Sequence, residues 1–550
     1  MLRMLTIPAA LILLLAGAMI WSGTAAEESA DFTYINRGEI GTLDPKGMSW
    51  LQDIRVAYAL WEGLYTLDPQ TLEAVPGTAD RIDLSPDQTV YTFHIRPAAR
   101  WTNGDPVTAH DFVFAWRRAL EEPQDYTYLM YYIRGAKAYS DRFVAGERPD
   151  FAQVGIEAID WRTLRVTLEH PVAFFPDLCA FPPFFPLHEP SMRPFAELPD
   201  PHTGRISYRQ GFTRPPHLVS NGPYRLAAWE FKRRLRLEAS EYYWDRASVR
   251  SRIIEQVSTP DPQAAFLQYD SGGIDWLAEV PGEIAAELRA AGRPDLHVFP
   301  GFGTYFYSFN CNPTLADGQP NPFADVRVRR AFSMAVNKQT IVQTITRMGE
   351  QAAANYVPPG IFAGYRSPAG LPFDPDLARR LLEEAGYPGG RGFPRLTLLY
   401  NTEGQHAPIA QSVRRQWLET LGVDLGLEGV EIKVFRMRLH NGLYAVARAS
   451  WIGDYNDVST FTDKYLSFSE NNDSAWKNAE YDRLCAAAAR ELNPAARLEL
   501  LSRAEQILLE EAPILPLYYY VNVYLFREHV RGVPLNPRNM VMFKALEARR

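Results

Sequence analysis

The sequence predicts an α/β or α+β protein that folds as two or three lobes. Its 550 residues exceed the roughly 250–300 at which a single hydrophobic core stops growing. Segments with helical periodicity alternate with short apolar strands along the chain, which is typical of α/β lobes. The hydrophobic and charged fractions, 46% and 22%, are those of an ordinary soluble globular protein.

The first 26 residues have the pattern of an export signal. Arg3 is followed by an apolar run from Leu5 to Ile20, and small residues then lead to a predicted cleavage after Ala25 or Ala26. The apolar run is also close to the lower length limit for a membrane span, so an uncleaved inner-membrane anchor is the alternative. No later segment of the sequence reaches about 18 apolar residues, and the body is therefore predicted not to span a membrane.

A strand, a turn and a helix follow one another early in the chain. VYTFHI (Val90–Ile95) has the alternation of a strand, and the pair Asn103-Gly104 marks the turn. Thr108 and Asp111 have the spacing of a capping box, which predicts the start of an amphipathic helix.

The rest of the chain continues this alternation. Two proline-rich stretches, 182–190 and 194–216, predict connections, the second of them near a crossover between lobes. The other predicted elements are, in order, two strands within Val154–His170, a helix within Phe373–Gly390 capped by Asp374 or Asp376, a strand at Arg395–Asn401, helices at His406–Val423 and Asn493–Pro513, and a strand at Leu515–Phe526.

Composition and motifs argue against several classes of function. The net charge of −8 lacks the basic footprint of a nucleic-acid-binding protein, so no nucleic-acid partner is predicted. The sequence contains no G-x-S-x-G, H-E-x-x-H, P-loop or Rossmann signature, and its histidines are dispersed. Neither a catalytic site nor a cofactor or metal is therefore predicted. Cys179, Cys311 and Cys485 allow at most one disulfide, and three buried thiols are the favoured interpretation.

The stretch ASWIGDYND contains the most conspicuous polar residue of the sequence. An apolar strand, Leu443–Ile452, breaks at Gly453 and presents Asp454 between Trp451 and Tyr455. One interpretation is an Asx-turn that follows the strand. The other is that this carboxylate forms one half of a charge pair with a cation that arrives from outside the protein.

Successive segments resemble the family-5 solute-binding proteins of peptide ABC importers, and in particular the oligopeptide binders of that family. The matches are colinear and cover the whole mature chain, which makes the resemblance specific. The matching segments are LDP (Leu43–Pro45), LWEGLYTLDP (Leu60–Pro69), YTFHIRPAARWTNGDPVTAHDFVFAWRRAL (Tyr91–Leu120), NGPYRL (Asn221–Leu226), YYWD (Tyr242–Asp245), GTYFYSFN (Gly303–Asn310), DVRVRRAFSMAVNK (Asp325–Lys338), VPPG (Val357–Gly360), LLYNT (Leu398–Thr402), ARASWIGDYND (Ala447–Asp457) and APILPLYYYVN (Ala512–Asn522).

The resemblance implies a two-lobed periplasmic-binding-protein fold with an extra third domain. Carried over, the first lobe comprises residues 27–61, 205–302 and 518–550, the extra domain 62–204, and the second lobe 303–517. A hinge between the lobes closes them on the ligand. The implied protein is a periplasmic monomer without cofactor or metal that hands oligopeptides to an inner-membrane ABC permease.

The resemblance also implies a set of ligand-binding residues. Asp454 binds the free α-amino group of the peptide, and the backbone of Ser450, Ile452 and Gly453 pairs with the peptide as an added strand. Trp451 either walls a side-chain pocket or packs in the lobe core, and Arg448 meets either the peptide carboxylate or an acidic neighbour. On the facing side the resemblance places Ser49 to Leu51 and a tyrosine, Tyr126 or Tyr128, for which simple packing is the alternative.

The sequence departs from the family pattern in four respects. Ile432 replaces a pocket tryptophan, and Leu439 replaces an arginine, although Arg436 and Arg438 are close by and Arg438 is included in the predicted site. Ser49 replaces an acidic residue, and Gly303 and Ile452 replace a disulfide pair. The amino anchor is thus retained while the pockets differ. A dipeptide, an opine-like amine, an oligosaccharide or a nickel chelate are alternative solutes, and an exported hydrolase is an alternative of another class.

Overall fold

The computed structural model describes residues 27–36 and 38–549, so the predicted export signal lies outside the described residues. Loops of varied length connect its strands and helices. The strands are β1 (Phe32–Ile35), β2 (Tyr65–Leu67), β3 (Ala74–Pro76), β4 (Ala79–Leu84), β5 (Val90–Ile95), β6 (Ile156–Ala158), β7 (Thr163–Thr167), β8 (Tyr224–Glu230), β9 (Arg234–Ala239), β10 (Ile253–Val257), β11 (Trp276–Leu277), β12 (Leu296–Phe309), β13 (Thr397–Asn401), β14 (Gly426–Val430), β15 (Val446–Ile452), β16 (Ile514–Phe526), β17 (Val530–Arg531) and β18 (Glu547–Ala548).

The α-helices alternate with these strands in all three predicted bodies. They are α1 (Leu51–Leu60), α2 (Ala109–Glu121), α3 (Ala136–Val144), α4 (Phe175–Leu178), α5 (Glu189–Met192), α6 (Pro262–Asp270), α7 (Gly282–Ala290), α8 (Val326–Met334), α9 (Lys338–Ile341), α10 (Pro375–Glu384), α11 (His406–Leu421), α12 (Ile432–His440), α13 (Ser459–Thr462), α14 (Ala479–Arg490) and α15 (Pro494–Glu511). Within the described residues, no helix combines the length and apolar character that crossing a membrane requires.

A mixed sheet of ten strands runs through both lobes, in the order β14-β13-β15-β12-β16-β11-β1-β10-β9-β8. Its centre is the long antiparallel pair β12 and β16, whose register shifts between Pro300 and Thr304. Gly301 lies at this shift, and a Cβ there would stand 2.8 Å from the carbonyl oxygen of Tyr520. The two lobe crossovers that the sequence predicts, 302/303 and 517/518, fall inside these strands.

A separate four-stranded sheet, in the order β4-β5-β7-β6, lies within residues 62–204. One continuous core joins it to the first lobe, since Phe93 and Trp116 belong to the same buried cluster as Tyr34 and Trp276. The limits of the three bodies stay a prediction, but this shared core ties the extra domain to the first lobe.

The second lobe has a core on each face of its part of the sheet. Successive residues of a strand point to opposite faces. Tyr305 therefore packs in one cluster, which includes Trp417, and Phe306 packs in the other with Tyr356 and Phe461. This two-sided burial places β12, with β15 paired beside it, in the middle of the lobe.

Several local predictions agree with the observed elements. Strand β5 covers the predicted residues, and α2 begins with the capping box of Thr108 and Asp111. Asp374 is the residue that caps α10, through a hydrogen bond from the Leu377 amide. The three cysteines are free, Cys179 and Cys485 being buried and Cys311 partly buried.

Candidate functional site

The turn that carries Asp454 follows directly from β15. Strand β15 ends at Ile452, and the next amide, that of Gly453, donates a hydrogen bond to the carbonyl oxygen of Phe302 at 2.8 Å. The Phe302 ring packs so closely on this point that a Cβ at residue 453 would lie 2.2 Å from a ring carbon. Only glycine fits there, and the chain can turn tightly to present Asp454.

Two tyrosines from the predicted extra domain, residues 62–204, lie against the Asp454 carboxylate. Its Oδ2 accepts a hydrogen bond from the Tyr128 hydroxyl at 2.5 Å, and its own amide donates to Thr460 Oγ1 at 2.8 Å. An Asx-turn requires a bond from a nearby amide to this carboxylate, and none is present among the described residues. The carboxylate therefore faces outward from its turn, toward the extra domain.

Burial raises the pKa of Asp454 to about 6, although the hydrogen bonds from Tyr128 and Tyr126 and the charges of Lys464 and Arg538 act in the opposite direction. In the part of the chain that the structure describes, no lysine or arginine forms an ion pair with this carboxylate. A desolvated carboxylate without a cationic partner is costly. It is therefore suited to bind a cation such as an ammonium group.

The two predicted tyrosines lie on one short 3₁₀ helix of the extra domain, Thr127–Tyr132, or at its start. Tyr128 makes the direct hydrogen bond to Asp454. Tyr126 packs edge-to-face on Phe181, with ring centroids 5.0 Å apart, and also stabilises the Asp454 carboxylate. The structure thus brings both tyrosines to the anchor.

The backbone of β15 has an open edge beside Asp454. One side of β15 pairs with β12 along its whole length, from Val446 to Ile452. On the other side β13 pairs only with Val446 and Ala447. From Arg448 to Ile452, this second edge has no partner strand within the described chain. An extended ligand could therefore be added there as a further strand.

Trp451 is held in place at this edge. Its Nε1 donates to the carbonyl oxygen of Thr460 at 2.7 Å, and the Lys464 ammonium lies 4.8 Å from the ring centre. The ring is partly buried and packs against the core of the second lobe. Trp451 can therefore both line a side-chain pocket and pack in the lobe core, the two roles that the sequence left open.

Arg448 lies six residues before Asp454 and is a largely enclosed cation. Its guanidinium stands 5.2 Å from the ring centre of Tyr305 and 6.0 Å from that of Phe435. Its Nε is buried without a hydrogen-bond partner, and no acidic side chain among residues 27–36 and 38–549 forms an ion pair with it. The acidic neighbour that the sequence left open is therefore not found, and an anionic ligand group would complete the site.

His406, which the sequence analysis missed, lies beside Arg448. Its Nδ1 is 3.1 Å from the Tyr305 hydroxyl, and the two rings stack with centroids 5.5 Å apart. Burial, and secondly the Arg448 charge, lower the pKa of His406 to about 3. The sequence signal that could have identified His406 is its position shortly after strand β13, because ligands of α/β sheets bind at the carboxyl ends of strands.

The remaining predicted residues lie on two separate elements, α12 and the segment that begins α1. Arg438 is bonded within the second lobe, with its Nη1 2.5 Å from Glu428 Oε1, and Ile432 begins α12 beside Phe435. Ser49 and Leu51 flank Trp50, whose ring lies 5.0 Å from the Arg436 guanidinium of α12. The exposed Trp50, which lies inside the segment that the resemblance placed here, thus contacts a helix of the other predicted lobe.

The comparisons with known proteins agree on one family. The family model described as bacterial extracellular solute-binding proteins, family 5 Middle, matches residues 73–473. The chain belongs to this family. This family-5 protein is 32% identical over 497 residues to the oligopeptide-binding protein OppA of Bacillus subtilis, covering 88% of this chain and 86% of that protein.

Two solved structures extend the comparison to three dimensions. The murein tripeptide-binding protein MppA of Escherichia coli has a TM-score of 0.78 and 31% identity, covering 96% of this chain and 100% of that one. OppA of Haemophilus influenzae in complex with RPPGFSPFR has a TM-score of 0.77 and 28% identity, covering 95% and 100%. The predicted α/β two-lobed binding-protein fold is therefore confirmed, and the family is one of solute-binding proteins rather than enzymes.

Proposed function

We propose that this family-5 protein captures short oligopeptides between its two lobes in the periplasm and delivers them, as a monomer, to an inner-membrane ABC permease. The observation that carries the proposal is the open edge of β15, with an unpaired carboxylate at one end and an unpaired guanidinium at the other. Two of the relatives are named as binding proteins for oligopeptides and for a murein tripeptide, which supports the same class of ligand here.

The arrangement matches the chemistry of a peptide with free ends. The ammonium group would bind Asp454, the carboxylate would bind Arg448, and the peptide main chain would pair with the backbone between them. The open strand edge from Arg448 to Ile452 spans roughly 14 Å, and Asp454 follows it after the turn at Gly453. A peptide of about three to five residues at roughly 3.4 Å per residue would fit. Main-chain pairing does not depend on side chains, so many sequences would be accepted.

A ligand with an amine is favoured over the other solutes. A neutral oligosaccharide has no cationic group to balance the Asp454 charge. An opine-like amine or a dipeptide would occupy only one end of the open edge. A peptide satisfies Asp454, Arg448 and the strand edge together. A site of this kind, which binds a peptide at both ends and along its main chain, suits an exported protein that passes its ligand on unchanged.

The direct test of this function is ligand-induced closure. The protein is unfolded and refolded to remove any bound ligand, and a mixture of tri- to pentapeptides is then added. Binding to the folded state raises the melting temperature by mass action, and closure of the lobes reduces the radius of gyration measured by X-ray scattering. If neither quantity changes, the peptide-binding function is wrong.

Peptide affinity is expected to fall as the pH falls through about 6. Because burial raises the pKa of Asp454 to about 6, the carboxylate is ionised above that pH and protonated below it. An ammonium group needs the ionised form, so affinity should decrease by up to about tenfold per pH unit below 6. Calorimetric titration between pH 5 and 8 measures this dependence. The variant Asp454→Asn is the control, and an equally steep pH profile in that variant would contradict the assignment.

A further inference from the structure

Three distant segments of the chain meet directly behind the Asp454 turn. Asp177 lies in α4 of the extra domain, Arg538 in the segment after β17, and Asn456 in the turn itself. The Asp177 carboxylate forms a two-pronged ion pair with Arg538, at 2.7 Å and 3.0 Å. Its Oδ2 also accepts a hydrogen bond from the Asn456 amide at 2.9 Å.

The Asp177–Arg538 pair is well shielded from water, with side chains only 8% and 5% exposed. Two parallel hydrogen bonds between a guanidinium and a carboxylate fix both groups in one geometry. Burying the pair is costly unless every hydrogen-bonding direction is used. The Asn456 amide is the group that occupies a further acceptor position of Asp177, so the turn is part of the pair's hydrogen bonding.

Neighbouring contacts hold this turn, and the helical segment that follows it, from the same side. The Phe174 ring stacks on Tyr455, with centroids 4.2 Å apart and planes at 13°. The Tyr132 hydroxyl donates to Asp463 Oδ2 at 3.2 Å. Together with the bond from Tyr128 to Asp454, these contacts come from the extra domain and reach the second lobe.

The two bonds of Asp177 differ in what they join. Arg538 and Asp177 connect the first lobe with the extra domain, and these two bodies share one core. Asn456 belongs to the second lobe, which is attached to them through the long strands β12 and β16. A hinge motion in those strands would leave the ion pair intact and break the bond to the Asn456 amide. That bond therefore forms only when the second lobe lies against the extra domain, as it does here.

We infer that Asp177 is a positioning residue for ligand capture: held by Arg538, it fixes the Asn456 amide and thereby orients Asp454 when the lobes are closed. This inference rests on the proposed function and adds a residue to it that does not touch the ligand. When the lobes close, the protein gains one charge-assisted hydrogen bond, from the Asn456 amide to Asp177, next to the Asp454 anchor. The consequence is slower release of ligand, with little change in its association.

Two variants test the inference by different routes. Asp177→Asn weakens both bonds of the carboxylate, while Asn456→Pro removes the amide donor and leaves the ion pair intact. Asn456→Ala is the matched control, because it keeps the backbone amide and changes only an exposed side chain. Stopped-flow fluorescence with a tripeptide, in its free and N-acetylated forms, gives the association and dissociation rates. The melting temperature of the ligand-free protein reports the fold.

For both test variants we expect the free tripeptide to dissociate about tenfold faster, the loss of one hydrogen bond to a charged group, with association within about twofold of wild type. The preference for the free over the acetylated tripeptide should shrink, and Asn456→Ala should behave as wild type. Unchanged dissociation in both variants, or an equal loss for the two peptides, would overturn the inference alone. Failure of the wild type to bind either peptide would overturn the proposed function and this inference with it.

Discussion

Replacing Asp454 by asparagine is expected to lower the affinity for a free-amino peptide by about a hundredfold or more, roughly 3 kcal/mol. The change keeps the shape of the side chain and removes the charge that the ammonium group needs. Tyr128 could still donate its hydrogen bond to the amide oxygen. The ligand-free protein should be as stable as wild type or slightly more stable, because an uncompensated buried carboxylate is costly.

Calorimetric titration of ligand-stripped wild type and Asp454→Asn with the same free and N-acetylated peptides checks this result. Wild type should prefer the free peptide by roughly 2–5 kcal/mol, the usual effect of breaking a buried charge pair. The variant should scarcely distinguish the two. A uniform loss for both peptides would indicate a distorted cleft, and no loss would return Asp454 to the role of a turn residue.

The second large effect is expected at the other end of the open edge. Arg448→Met removes a guanidinium that has no acidic partner among the described residues and packs on Tyr305 and Phe435. The affinity for a peptide with a free carboxylate should fall by about tenfold to a hundredfold, the contribution of hydrogen bonds to a charged group. The variant should also no longer distinguish a free carboxylate from a C-terminal amide.

Arg438→Met is the matched control for Arg448→Met. Arg438 lies on the neighbouring helix α12 but is already paired with Glu428, so its loss should change peptide affinity little. Amidation should affect wild type less than N-acetylation, since Leu439 stands where the family pattern has a second arginine. An equal loss for the acid and amide peptides in Arg448→Met would show that Arg448 only supports the fold.

Local signals in the sequence predicted local structure well. The capping box of Thr108 and Asp111 depends on residues three positions apart, and α2 begins there as expected. The break of β15 at Gly453 was equally visible. Its cause was not, because the Phe302 ring that excludes a Cβ at this position is 151 residues away. A single sequence contains no record of such a contact.

The family resemblance carried the prediction further than periodicity could. It placed Gly303 and Ile452 as two halves of a lost disulfide, and these residues are directly opposite one another in the pairing of β12 with β15. It did not reveal what surrounds the anchor. The Asp177–Arg538 pair joins residues 361 positions apart, and Trp50 meets Arg436 from the other lobe. Such pairs depend on tertiary packing, which changes between relatives at this level of identity.

A crystal structure of the ligand-stripped protein reloaded with one defined tripeptide would show directly whether β15 and Asp454 hold the ligand. We expect an extended peptide that pairs with the β15 edge between Arg448 and Ile452, with its ammonium nitrogen within hydrogen-bonding distance of Asp454. A peptide bound elsewhere in the cleft, or one whose ammonium group lies away from Asp454 while another group occupies the β15 edge, would contradict this expectation.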